Sequence, residues 1–208
     1  TGVWADENTR DAIFSAFTRK ETFATSGPRI RVRMFAGHDF PNDMLARSDY
    51  ARVAYARGVP QGGVLRRRRT APDLLVVALR DPNAAPLQRI QIVKGWLENG
   101  LRREQVYDVV CSDGGEVDPG TNRCPDNGAD VDLATCAIRK NIGAAQLSTI
   151  WKDPDYDYAQ PSFYYARVIE NPSCRWSTWD AVRAGVTPRA GYPTTVQERA
   201  WTSPIWIR

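Results

Sequence analysis

Histidine is almost missing from this chain: His38 is the only one among 208 residues. These residues cannot build a multinuclear metal centre on imidazoles. Nucleophilic catalysis with a histidine base is equally ill served, because His38 stands in Gly37-His38-Asp39 with no Gly-x-Ser-x-Gly element to supply a partner. No Cys-x-x-Cys pair occurs either, which removes the closely spaced ligands of most zinc sites. No apolar run approaches the roughly 20 residues that a helix needs to cross a bilayer, so no membrane span is expected. Internal repeats and low-complexity tracts are absent. Gly58-Val59-Pro60-Gln61-Gly62-Gly63 has the glycines of a phosphate loop but not its Gly-Lys-Ser/Thr ending, and reads as a turn. The chain opens Thr1-Gly2-Val3-Trp4 without an initiator Met, a basic stretch or an apolar leader, and is expected to be a processed or excised piece of something longer.

Basic residues outnumber acidic ones by 28 to 24, for a net charge of +4. So even a balance does not demand nucleic acid, and no nucleic-acid partner is expected. Arg66 to Arg69 is the one dense run, and without interleaved aromatics it reads as a solvated loop between strands. Arg29, Arg31 and Arg33 alternate with Ile30, Val32 and Met34, giving a half-buried strand whose basic face protects an edge. Together the two basic stretches form a candidate interface for a second copy, making a homo-oligomer, or for an acidic partner.

Four cysteines form an even set: Cys111, Cys124, Cys136 and Cys174. Disulfides are favoured over four reduced thiols in a cytosolic protein, which implies a periplasmic or extracellular setting. Of three possible pairings, Cys111 with Cys124 would staple the Gly- and Pro-rich loop between them and leave Cys136 for Cys174.

The strongest fold signal is Ser162 to Glu170. Tyr164, Ala166 and Val168 alternate with Phe163, Tyr165 and Ile169, so both faces are apolar and a central strand covered on both sides is expected. Arg167 interrupts the pattern and must reach an edge or find a carboxylate or carbonyl partner. Leu74 to Leu79, Ile90 to Val93 and Val106 to Val110 read as further short strands, a spacing that predicts a sandwich. Helical spacing appears after a candidate N-cap at Asn8, with Ile13, Ala16 and Phe17 as the apolar face, and more loosely over Asn42 to Arg57. The expected fold is mainly β with minor α, an Ig-like or jelly-roll-like β-sandwich preceded by a helix and the short strand Thr22 to Thr25.

Candidate chemistry is sparse. Asp153, Asp155 and Asp157 resemble the start of a calcium loop, but Tyr158 and Tyr164 stand where Gly and Glu are needed, so a capped turn is expected. Thr25, Ser26 and Gly27 offer hydroxyls and backbone N–H groups to an anion. Five of seven tryptophans fall between Trp151 and Trp206, a clustering that predicts core packing. A rival reading is a binding module for a carbohydrate or cell-surface polymer, with at least two of Trp176, Trp179, Trp201 and Trp206 exposed on one concave face and the Cys-bounded loop as a lid.

Several stretches in order resemble the carboxy-terminal part of a bacterial family, domain of unknown function 3604, whose members resemble metal-dependent phosphoesterases of the PHP (polymerase and histidinol phosphatase) type. They include Gly2 to Arg10, Glu21 to Arg29, Gly58 to Gly63, Ile90 to Trp96, Trp151 to Asp157, Phe163 to Val168 and Gln197 to Trp206. The resemblance implies that residues 1–27 are the closing helix and strand of an upstream αβ barrel and residues 28–208 a β-rich domain appended to it. It places the divalent metal ions and their His and Asp ligands in that barrel, leaving no cofactor for this chain. It also puts Thr25, Ser26 and Gly27 near the barrel mouth. The expected role is a non-catalytic domain that caps or positions the barrel.

Overall fold

Gly, Pro, Asn and Asp cut the apolar stretches into strand lengths, and the computed structural model, which describes residues 1–208, is assembled from such pieces. In chain order they are β1 (Gly2–Val3), α1 (Arg10–Thr18), β2 (Thr22–Thr25), β3 (Arg31–Gly37), a 3-10 turn (Met44–Ala46), α2 (Tyr50–Arg57), β4 (Gly58–Pro60), β5 (Val64–Leu65) and β6 (Asp73–Leu79). Then come β7 (Leu87–Glu98), β8 (Leu101–Cys111), β9 (Val131–Asp132), β10 (Ala137–Ile138), β11 (Gln146–Trp151) and β12 (Ser162–Glu170). The chain ends with β13 (Ser173–Cys174), α3 (Trp176–Ala184), β14 (Thr195–Val196), β15 (Arg199–Thr202) and β16 (Ile205–Ile207).

β12 is the central strand of an eight-stranded sheet. On one side β7 pairs along its length, with Ala166 opposite Ile92; on the other, β15 and β16 share it, with Val168 opposite Ala200 and Tyr164 opposite Ile205. β8 extends the sheet past β7, and β2 and β1 extend it past β15. A four-stranded sheet, ordered β11-β6-β3-β4, packs against it. Ile90, Ile92, Tyr164, Ala166, Val168 and Ile205 of the large sheet meet Val32, Met34, Leu74, Val76 and Leu147 of the small one, all buried. The fold is thus the mainly β sandwich expected, and neither sheet closes into a barrel.

The two sheets differ in how their outer faces are treated. Behind the small sheet, α2 and the 3-10 turn bury Phe35 and Leu75 together with Phe40, Met44 and Ala54. Coverage on both faces explains why β6 is an almost unbroken apolar run. The expectation that β12 is covered on both sides needs correction. Tyr164, Ala166 and Val168 are fully buried, but Phe163 and Tyr165 are only half-buried, because no second layer reaches that part of the large sheet.

Strands β7 and β8 are also much longer than the apolar runs inside them. Asn99 and Gly100 join them with positive φ at both positions, 52° and 77°, the geometry of a tight two-residue hairpin. The turn carries the ladder out through Glu98, Arg102, Arg103 and Glu104, residues too polar to be read as strand.

Residues 1–27 are joined to the sandwich by many hydrogen bonds. β2 pairs with β15, placing Ala24 opposite Trp201, and the Trp4 indole donates to the Val32 carbonyl at 3.0 Å. Gln61, fully buried, accepts from the Met34 amide at 2.9 Å and donates to the Thr22 carbonyl at 2.6 Å. Arg33 is not the free surface cation that alternation predicts. Its guanidinium lies 4.5 Å from the Trp4 ring centroid, donates to the Tyr55 hydroxyl at 2.8 Å and approaches buried Glu21 at 3.8 Å. The N-cap of α1 is Thr9 rather than Asn8, its hydroxyl accepting from the Ala12 amide. Of the expected apolar face of α1, Ala16 is buried and Ile13 half-buried but Phe17 is 48% exposed, and Phe14, outside that face, is 70% exposed.

Candidate functional site

Strand alternation sends Phe163, Tyr165 and Arg167 of β12 away from the core, onto the uncovered face of the large sheet. Register supplies their neighbours. Phe163 lies between Gly95 of β7 and Trp206 of β16, and Arg167 lies between Gln91 of β7 and Trp201 of β15. Glycine is required at position 95, since a Cβ there would stand 2.2 Å from the Phe163 ring. The ring therefore lies across β7 and meets the Trp206 indole at 5.0 Å between centroids. Around this pair opens a cleft of about 710 Å³, with Leu97, Arg102, Arg103 and Arg208 at its rim. That volume suits a small ligand or a segment of a chain. Arg103 is paired with Glu98 at 2.9 Å, and the Arg208 guanidinium sits 4.9 Å above Trp206, which is 38% exposed. Trp96 also lines the cleft, and its indole N–H is buried without a partner.

Further along the same face guanidinium groups gather around one carboxylate. Arg167 donates through Nε to Gln91 at 2.6 Å, and Gln91 donates to Asp108 at 2.6 Å. Arg89 and Arg123 approach Asp108 at 3.5 and 3.6 Å, and the Cys124 amide donates to it at 2.8 Å. Burial lowers the Arg89 pKa below the ordinary guanidinium value, and repulsion from Arg123, Arg167 and Arg199 adds to this against the pull of Asp108. The arginine that the sequence left unpartnered has found an amide carbonyl. Its companions escape sequence reading because they lie in separate segments, and only the β7-β12-β15 register unites them.

The cysteines pair as expected, Cys111 with Cys124 and Cys136 with Cys174. The first bridge staples the loop that brings Arg123 to Asp108. Thr25, Ser26 and Gly27 do end β2, but the Ser26 hydroxyl donates to Glu198, and a Cβ at Gly27 would stand 3.7 Å from the same carboxylate. An anion at that corner would face this negative charge.

The three aspartates do not converge on an ion. Asp153 is buried in a salt bridge with Lys94 at 2.6 Å, with side chains 0% and 4% exposed, and accepts from the Tyr164 hydroxyl at 2.6 Å. Asp155 accepts from Tyr107 at 2.7 Å, and Asp157 caps the turn at Ala159. Burial and the hydrogen bond to Asp153 hold Tyr164 well above the usual phenol range, so it remains a donor. This network closes the end of the sandwich beneath the cleft; Lys94, inside a core strand, was its one visible signal. No group of three or more His, Cys, Asp and Glu residues is placed to hold a metal ion.

Other expectations fare unevenly. The Arg66 to Arg69 run is a loop between β5 and β6, with Arg67 donating to the Tyr158 carbonyl and Arg68 paired with Asp39. His38 shares a 2.9 Å hydrogen bond with the Arg66 carbonyl. The tryptophans do not form the core: none is fully buried, and Trp176, Trp179 and Trp206 are exposed. Trp176 and Trp179 lie on α3 and Trp206 on β16, while Trp151 packs against the edge of the core.

A second cavity, of about 440 Å³, lies beside the Cys136–Cys174 bridge and is lined by Trp179, Lys140 and Glu170. Glu170 is 1% exposed, and one of its carboxylate oxygens has no partner. Desolvation, with repulsion from Asp81 and Glu198, pushes its pKa up to about 8.

No curated protein and no solved structure matches the chain. One family does match, over residues 1–208, and the chain belongs to it: protein of unknown function (DUF3604).

Proposed function

We propose that this chain is the non-catalytic accessory domain of a PHP-type metal-dependent phosphoesterase, seated against an upstream barrel of the same polypeptide through α1. The exposure of Phe14 and Phe17 on one short helix carries the reading. A fully exposed phenyl ring costs roughly 1.5–3 kcal/mol relative to burial, and Phe14 at 70% and Phe17 at 48% exposure carry a large share of that each. Divalent ions, which polarise the phosphoryl group and activate water in such enzymes, belong to the barrel, and α1 holds the sandwich in place beside it.

Hydrogen exchange across α1, compared between this chain and the parent polypeptide, tests the proposal. Protection of Arg10 to Thr18 should rise in the parent, and Phe14→Asp with Phe17→Asp should abolish the increase. Equal exchange in both proteins counts against the docking. Phosphodiester turnover by this chain alone with Mn²⁺ or Zn²⁺, lost on changing one of its own residues, would overturn the non-catalytic role.

A second reading, a polymer-binding module, is favoured by one observation: the cleft built on Trp206 and Phe163. Adjacent aromatic rings at the surface, here tilted 51° to each other, offer apolar faces to a ligand, and the two roles are compatible because α1 and the cleft lie on different elements.

A further inference from the structure

The uncovered face of the large sheet collects features that packing does not explain. Trp206 and Phe163 stand at the cleft end, with Arg102 and Arg208 on the rim. Four to six residues further along β12, about 14–20 Å at roughly 3.4 Å per residue, come Arg167 and the row holding Arg89 and Arg199. Arg123 reaches in from the stapled loop. Against these six guanidinium groups the face sets Glu104 and Asp108, and Asp108, which also accepts from Gln91 and the Cys124 amide, is shared between Arg89 and Arg123. Arg167 uses only its Nε, so both terminal amino groups remain free to donate. Like charges held together on a half-buried surface repel one another, and an anion laid over them relieves that repulsion.

We infer that this face binds an acidic polysaccharide, with sugar rings stacked on Trp206 and Phe163 and carboxylates gripped by the arginines around Arg167. The inference rests on the polymer-binding reading of the cleft and adds the charge and the path of the ligand. A guanidinium fork matches a carboxylate with two parallel hydrogen bonds. A single small anion cannot occupy both ends of a strip about 14–20 Å long, whereas a chain with repeated acid groups can. The two disulfides favour an oxidising compartment, the setting of extracellular and cell-surface glycans.

Affinity electrophoresis and calorimetry on this chain decide the matter, using polygalacturonate, alginate, fully methyl-esterified polygalacturonate and a single-stranded DNA oligonucleotide as probes. Uronate binding that weakens at least about tenfold on methyl esterification, and again with rising salt, is the expected result. Trp206→Ala and Arg123→Gln, both at exposed positions, should each weaken it by about three- to tenfold, with thermal melts lowered by no more than about 4 °C. Failure of all four polymers to bind overturns this inference and the polymer-binding reading together. Equal affinity for the methyl ester leaves that reading standing and removes the inference alone. DNA binding as tight as uronate binding, or variants that bind like the wild type, would also overturn it.

Discussion

The outer face of the small sheet is covered by α2 and the 3-10 turn around Phe35 and Leu75, whereas the outer face of the large sheet is open around Phe163 and Tyr165 and buried only toward Gln91, Asp108 and Ile169. Phe35 of β3 and Phe163 of β12 show what that means. Phe35 is fully buried beneath α2, with Tyr55 edge-on at 5.1 Å, whereas Phe163 lies across Gly95 with its outer surface open to solvent. The same residue type thus fills the core in one sheet and lines an open cleft in the other. Both sheets contribute to the shared core, but only the large one leaves aromatic rings on an open outer face.

Paired truncations break the comparison most directly. Phe35→Ala should cost about 3–5 kcal/mol, the usual range for emptying a core phenyl site, read as a fall in the urea midpoint. Phe163→Ala should cost about 1 kcal/mol, since the ring gives up little buried area. Equal losses would mean that the open face is a core surface after all.

Next in size are the disulfides. Opening Cys136–Cys174, which closes a separation of 38 residues, should cost about 4 kcal/mol, and opening Cys111–Cys124, with a separation of 13, about 3 kcal/mol on the loop-entropy account. Serine pairs at each bridge, melted separately, give the order. The shorter bridge carries the additional expectation that Arg123 drifts from Asp108, so polyanion binding should suffer more than stability does.

Alternation and turn residues were enough to locate β12, β3 and β6, because a period of two survives whatever the partner strand is. The disulfide pairing followed from the loop that Cys111 and Cys124 enclose. The open face was not legible. Whether Phe163 and Tyr165 are covered depends on a layer that sequence periodicity does not encode. The arginine cluster depends on the register of β7, β12 and β15, strands far apart in the chain. Lys94 and Asp153 were missed for a related reason: a buried ion pair looks polar in sequence at both of its ends.

Glu170, at the end of β12 in the open sheet, sharpens the comparison through pH. Its folded pKa of about 8 lies above the ordinary value of 4.5, so the fold favours the neutral acid. Its contribution is therefore fully present below about pH 4.5 and is lost as pH rises through about 8. Glu170→Gln should remove this slope and stabilise the protein at pH 9 by on the order of 2 kcal/mol, less than the full linkage value because the adjoining cavity admits water. Chemical denaturation at pH 5, 7 and 9 checks the sign; a variant as pH-dependent as the wild type would assign the slope to other groups.

The smallest stability effect expected is the most informative about the open sheet. Trp206→Ala removes a large ring that is 38% exposed and lines an open cleft, where its neighbours are Phe163 and Arg208. Its cost should stay within about 1 kcal/mol, whereas a buried Trp would cost about 3–5 kcal/mol. Tryptophan fluorescence separates the cases further. Acrylamide should quench the Trp206 contribution in the free protein, and an acidic glycan should protect it. If the indole is instead shielded without ligand and its removal unfolds the chain, the rings on this face belong to the core and the two sheets are alike.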